Sequence, residues 1–118
     1  MKYMLLINQG STPTPPSEEW DKLPDDEKQA VYRDYQSINE TPGVTSGLQL
    51  GSPETATTVR VENGETVTTD GPFVETKEAL GGYLLFEADD LDAAIELAAR
   101  IPAARMGGAI EVRPIVER

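Results

Sequence analysis

The chain of 118 residues contains neither cysteine nor histidine. Without cysteine it can form no disulfide, present no thiol nucleophile and build no thiolate metal site. Without histidine it lacks the side chain that most often moves protons near neutral pH and most often binds transition metals. Any chemistry would therefore depend on carboxylates, lysine, arginine, tyrosine, hydroxyl groups or the backbone, and we predict no cofactor and no metal.

Positive charge is also scarce, because 10 basic residues stand against 21 acidic ones and leave a formal net charge of -11. Such a surface repels phosphate backbones and anionic lipids, which argues against nucleic acid or membrane partners. The apolar run at residues 3–7 is too short for a signal sequence or a membrane span. We expect a cytoplasmic protein that forms a single domain over residues 1–118.

Short apolar or β-rich runs alternate with two stretches of helical periodicity. Val31, Tyr35 and Ile38 predict a helix that begins at Pro24, and Leu91, Ala94, Ile95 and Ala98 predict the apolar stripe of a second one. The predicted strands cover residues 3–7, 44–50, 57–62, 65–70, 82–87 and 109–114.

The clearest local signal is Asn63-Gly64 between two β-rich runs, which favours a two-residue type I′ hairpin. That turn pairs Val61 with Thr66 and Thr57 with Asp70. Because side chains alternate between the two faces of a strand, Asp70 should share a face with Val59 and Val61.

The order strand, helix, strand, hairpin, strand, helix, strand predicts an α+β protein. It corresponds to a ferredoxin-like (split βαβ) pattern with an extra β-hairpin. Two helices can cover only one face of such a sheet, so the other face needs a partner. A second copy of the chain is the simplest partner, and we predict a homodimer that encloses a barrel-like cavity.

Asp70 is the first candidate for a catalytic residue. It ends a strand just before Gly71-Pro72, where the chain must turn sharply. A carboxylate beside apolar side chains such as Val59 and Phe73 can be held protonated and serve as an acid or base. The alternative is that Asp70 accepts backbone N–H bonds at the turn.

Two basic residues are candidates for ligand binding. Lys77 would neutralise Asp70 or bind an anionic molecule, or else be solvated beside Glu75 and Glu78. Arg105 is followed by Gly107-Gly108, which suggests either an anion-binding loop or a plain linker, since the chain has no phosphate motif.

Three further candidates lie on predicted strands. Glu111 and Arg113 alternate with Ile110 and Val112, so they should point away from the helices. There they would orient a polar ligand or form an ion pair that stabilises the dimer. Tyr83 would reach the cavity or belong to the core.

Five segments carry a family resemblance. They are residues 1–7 (MKYMLLI), 69–78 (TDGPFVETKE), 81–83 (GGY), 102–105 (PAAR) and 111–114 (EVRP). In this order they resemble the DGPF branch of the YCII-related proteins. The resemblance implies a dimeric α+β barrel and a bacterial cytoplasmic protein, in a branch whose biochemical activity is largely unassigned.

The resemblance also implies two alternatives. DGPF proteins are often encoded beside extracytoplasmic-function sigma factors, which suggests a regulatory role with such a partner. Some distant YCII-related proteins act as lyases or dehalogenases and use a His–Asp pair. That histidine has no counterpart here, and Met106 stands where DGPF relatives often carry one, so a lyase-like reaction would use Asp70 alone.

The hypothesis that we favour is a dimeric protein that binds a small polar or anionic molecule in the cleft between its subunits. Asp70, Lys77, Glu111 and Arg113 would supply the polar groups of that cleft. The residues name no reaction, and whether the protein is an enzyme stays open.

Overall fold

The computed structural model describes residues 1–15, 17–51, 55–71 and 80–117. The order of elements predicted from the sequence is confirmed. In chain order they are β1 (Lys2–Asn8), α1 (Glu18–Asp21), α2 (Asp25–Asn39), β2 (Val44–Gln49), β3 (Thr57–Glu62), β4 (Glu65–Asp70), β5 (Leu80–Glu87), α3 (Leu91–Ala99), a 3₁₀ turn (Pro102–Ala104) and β6 (Ala109–Pro114).

Four strands form an antiparallel sheet in the order β2-β5-β1-β6. The continuously apolar β1 is an inner strand of this sheet. With the hairpin set aside, the order of the four strands is that of a ferredoxin-like fold, and two helical crossovers connect them. The predicted fold class is therefore confirmed.

Side-chain hydrogen bonds cap the first turns of two helices. The Ser17 hydroxyl accepts a hydrogen bond from the Trp20 amide at 3.1 Å, and the Asp90 carboxylate accepts one from the Ala93 amide at 2.9 Å. Pro24 directly precedes α2, so that helix begins one residue later than predicted. Among the described residues no helix is long and apolar enough to cross a membrane.

The core lies between the helices and one face of the sheet. On β1 the side chains of Tyr3, Leu5 and Ile7 are buried, and they alternate with half-buried ones. The core contains further side chains from α2, β5, α3 and the segment that follows α3: Ile38, Leu84, Phe86, Ala94, Leu97, Ala98, Ile101 and Ala103.

The apolar stripe of α3 differs from the prediction. Leu91 and Ile95 are each 50% exposed, whereas Leu97 is buried. Leu97 and Ile101 lie four residues apart and continue the buried stripe, which turns Leu91 and Ile95 toward solvent. The sheet thus selects one of two overlapping apolar stripes on the same helix.

The second face of the sheet carries side chains that are only partly covered. Register pairs Met4 with Leu85 and Leu6 with Tyr83, on the side opposite the buried residues of β1. We call this surface the open face and define it by six residues: Met4, Leu6, Tyr83, Leu85, Glu111 and Arg113. Glu111 and Arg113 therefore point away from the helices, as their alternation predicts.

The hairpin β3–β4 forms a two-stranded sheet of its own. Its register agrees with the prediction at every pair, including Val61 with Thr66 and Thr57 with Asp70. Asn63 and Gly64 have φ values of 51° and 80°, and a type I′ turn requires positive φ at both positions.

Ile38→Ala should lower the free energy of unfolding by about 2–5 kcal/mol, because the substitution leaves a cavity in a packed core. Ile38 is 0% exposed. Urea denaturation measures the change, with Ile95→Ala on the exposed side of α3 as the control, expected to cost less than about 1 kcal/mol. Similar losses for the two variants would contradict this assignment of the core.

Candidate functional site

A cavity of about 250 Å³ lies where α2, the loop after β1, and the strands β2 and β5 meet. Apolar side chains form much of its wall, among them Trp20, Val31, Leu84 and Met106. The polar members of the lining are Gln9, Thr12, Thr14, Tyr35, Asn39, Ser46, Gln49 and Tyr83. None of the described residues that line the cavity carries a charge.

The loop at residues 9–15 forms one wall and is held by backbone hydrogen bonds. The Thr12 amide donates to the Gln9 carbonyl at 2.8 Å, and the Ser11 amide donates to the Gly107 carbonyl at 3.3 Å. Gly10 has a φ of 57°, and a Cβ there would overlap the Gly107 carbonyl oxygen. The loop can therefore lie this close to residue 107 only with glycine at position 10.

The opposite wall comes from β2 and β5, where their pairing is irregular between Ser46 and Gln49. A Cβ at Gly47 would overlap the backbone oxygen and the ring of Tyr83, so the close approach of the two strands requires glycine. The Ser46 hydroxyl donates to the Asn39 side-chain oxygen at 2.7 Å and links β2 to α2.

Two residues of the lining carry hydroxyl groups with unusual properties: one lacks a hydrogen-bond partner, and the other has a raised pKa. Thr12 Oγ1 is buried and has no hydrogen-bond partner among the described residues. Burial raises the pKa of the Tyr35 phenol above its ordinary value of 10.0. The Tyr35 hydroxyl therefore keeps its proton throughout the neutral range and can donate it in a hydrogen bond.

Of the candidate residues from the sequence, Tyr83 is the one that lines this cavity, and it also belongs to the open face. The Arg105 guanidinium instead forms an ion pair with Asp34 of α2 at 2.6 Å. The carbonyl of Gly107 accepts from Ser11, and the amide of Gly108 donates to Ala103 at 2.9 Å. This loop is thus tied to its neighbours, and anion binding by Arg105 stays a prediction.

The other described candidates lie apart from the cavity. Glu111 and Arg113 approach each other to 3.8 Å on the open face, both more than half exposed. Asp70 is exposed at the end of β4. Lys77 lies outside the described residues, as does Phe73, the predicted neighbour of Asp70. Catalysis by Asp70 and ligand binding by Lys77, Glu111 and Arg113 therefore stay predictions.

Sequence reasoning missed most of the polar lining. Tyr35 was assigned to the helical stripe that begins with Val31, and Asn39 extends that stripe by four residues. The polar Asn39 in line with this apolar stripe is the sequence signal that could have indicated the cavity. Thr12 and Ser46 gave none, because only the folded chain brings the loop and β2 to α2.

The lining can donate and accept hydrogen bonds around an apolar body. In the described part of the chain, no three acidic side chains converge as a metal site would require. The described lining also contains no carboxylate, ammonium or guanidinium group. Its chemistry is therefore that of recognition by uncharged polar groups and apolar contact.

These features define a small α+β protein with a ferredoxin-like sheet and a partly open cavity whose described lining is uncharged. The chain belongs to the YCII-related family, since the profile of the YCII-related domain matches residues 1–118. It is similar to an uncharacterized protein of Rhizobium meliloti (strain 1021). The two are 34% identical over 113 residues, which cover 95% of this chain and 89% of that protein. The DGPF branch is compatible with this match.

Tyr35→Phe should reduce the loss of stability that alkaline pH causes. In the unfolded chain the phenol ionises near its ordinary pKa of 10.0, whereas burial raises the pKa in the folded protein. Above pH 10 the unfolded state therefore releases its proton first, and stability falls as the pH rises through the folded pKa. Below pH 10 both states are protonated and the contribution is constant.

Urea unfolding at a series of pH values around 10 measures this effect. The matched control is Tyr32→Phe, which removes an exposed phenol from the same helix. An equal change in the pH dependence of both variants would show that burial of Tyr35 is not the cause.

Proposed function

We propose that this protein binds a small uncharged molecule in the cavity beside α2 and that it acts as a homodimer. The observation that carries the proposal is the absence of charge from the described lining, in a chain of which 26% is charged. A partly enclosed site without a counter-charge disfavours ions, because an unpaired charge is costly to transfer from water.

The volume and the lining of the cavity restrict the kinds of ligand that could bind there. Its volume of about 250 Å³ lies just below the range of roughly 300–1,000 Å³ that is usual for small-molecule sites. Trp20, Leu84 and Met106 offer apolar contact, and Tyr35 offers a hydrogen-bond donor. A single-ring molecule with one or two neutral polar substituents fits these properties.

Thr12 supports ligand binding independently of volume. A buried hydroxyl without a partner is destabilising, and native proteins retain few such groups. Thr12 is one of the residues that line the cavity, so rotation of its side chain would bring the buried hydroxyl to a bound molecule that accepts or donates a hydrogen bond. We therefore propose that the loop of residues 9–15 recognises the polar substituent.

This proposal differs from the sequence-based hypothesis in two respects. The cavity is lined by residues of one chain, whereas the sequence suggested a cleft between subunits. The lining favours a neutral ligand over an anionic one. A sigma-factor partner and a lyase-like reaction at Asp70 stay predictions.

Neutral single-ring compounds should raise the melting temperature by a few degrees, because binding stabilises the folded state by mass action. Benzamide and benzoate form a matched pair of similar shape that differ in charge, and a thermal-shift assay compares them. We expect stabilisation by benzamide and by related neutral amides or phenols. Equal or stronger stabilisation by the carboxylates would contradict an uncharged site.

Thr12→Val should weaken the binding of a neutral ligand while leaving the free protein at least as stable. The substitution keeps the shape of the side chain and removes a hydroxyl that has no described partner. Titration calorimetry and melting temperature measure the two effects. Thr45→Val, on an exposed position of β2 outside the lining, is the control. Unchanged affinity in Thr12→Val would remove this residue from the site.

The open face supports the second half of the proposal, the homodimer. Met4, Leu6, Tyr83 and Leu85 form an apolar stripe that the helices of the same chain leave half-covered. A second copy packed on this stripe would remove it from water, as the sequence predicts.

Light scattering coupled to size exclusion should give a mass of twice 12.8 kDa. A single species of 12.8 kDa at micromolar and higher concentrations would contradict the dimer. It would leave the ligand proposal intact, because the cavity lies within one chain.

A further inference from the structure

We propose that the β3–β4 hairpin is an arm that packs on a second copy of the chain. This inference rests on the proposed homodimer and adds a contact beyond the open face. The contact uses the side of the hairpin that we call the valine face. By register it consists of Thr57, Val59, Val61, Thr66, Thr68 and Asp70.

The hairpin is exposed almost throughout within one chain. All six residues of β4 and five of the six in β3 are exposed. Val59 and Val61 are 59% and 70% exposed. An isolated two-stranded hairpin is only marginally stable in water. A further surface that covers it would therefore stabilise the arm.

The two sides of the hairpin differ in charge, as we would expect if one side faced solvent and the other contacted a partner. The side opposite the valine face carries Arg60, Glu62 and Glu65 among its six residues. The valine face carries a single charge, Asp70, at its end. Charged side chains are the usual protection of an exposed hairpin, and the valine face largely lacks them.

The chain exposes more surface than a compact monomer of its mass would. The accessible surface is 8236 Å², whereas a compact monomer of this mass exposes roughly 6,300 Å². The radius of gyration is 16.2 Å against about 13.5 Å for a compact domain of this length. Obligate dimers bury on the order of 1,000–2,500 Å² per subunit, and the excess surface lies within that range.

The low charge of the valine face allows a second copy as the occupant. The chain has a net charge of -11, so two copies repel each other except where surfaces of low charge meet. A basic partner would instead bind the acidic surfaces. The valine face and the open face are surfaces of low charge. On the open face Glu111 and Arg113 offset each other.

In a dimer with a twofold axis, the hairpin of each subunit could contact the other subunit at the same time. Each valine face would contact the partner at the margin of its open face, beside the apolar stripe, and the same contact would recur on the other side. Asp70 lies on the valine face, so this arrangement brings that carboxylate to the boundary between subunits.

Val61→Lys tests the arm without disturbing the core, because Val61 is 70% exposed in the single chain. We expect the dimer dissociation constant, measured by analytical ultracentrifugation over a dilution series, to rise at least tenfold. Ile95→Lys is the matched control, since Ile95 is 50% exposed on α3 and belongs to neither proposed surface. A dissociation constant for Val61→Lys equal to that of the wild type would overturn the arm.

Hydrogen exchange separates the failure of the arm from the failure of the dimer. Amides at residues 57–62 and 65–70 should be protected where the wild type is dimeric and lose that protection on dilution to monomer. If the wild type is dimeric but the amides of the hairpin exchange freely, the proposed contact of the hairpin is wrong and the proposed homodimer is unaffected. A wild type that is monomeric at all concentrations would overturn both.

Discussion

One constraint governs this molecule: a four-stranded antiparallel sheet has two faces, and its helices cover only one. On the covered face Leu5, Leu84 and Ile38 pack against one another and form the core. On the open face Met4, Leu6 and Leu85 stay half-covered. The stability of the chain comes from the first face, and the proposed homodimer would use the second.

The cavity arises at a place where this packing is incomplete. The pairing of β2 with β5 is irregular, and α2 contacts the sheet there through Tyr35 and Asn39, with the loop of residues 9–15 as a further wall. Closely packed interiors leave few voids larger than a water molecule. A cavity of about 250 Å³ with an unpaired hydroxyl and uncharged walls is thus the feature of this family member that is best suited to a ligand.

The cavity and the hairpin give the two faces of the sheet separate roles. Ligand recognition would depend on Thr12 and Tyr35 within one chain, whereas association would depend on the open face and the valine face. Tyr83 belongs to both the cavity lining and the open face. Its ring lies against Gly47, so the proposed dimer contact and the cavity wall would share this side chain.

The sequence by itself determined the features that depend on neighbouring residues. Asn63-Gly64 set the turn and register of the hairpin, Ser17 and Asp90 capped their helices, and the order of elements specified the fold class. These interactions span at most a few positions, so local rules predict them.

Only the tertiary structure decided which stripe of α3 is buried and where the cavity lies. Leu97 displaces Leu91 and Ile95 from the core because the sheet, and not the helix, selects the buried side. Of the described cavity residues, Tyr83 alone is a candidate from the sequence. Thr12, Asn39 and Ser46 come together across distant parts of the chain, and contacts of that kind leave no local periodicity to read.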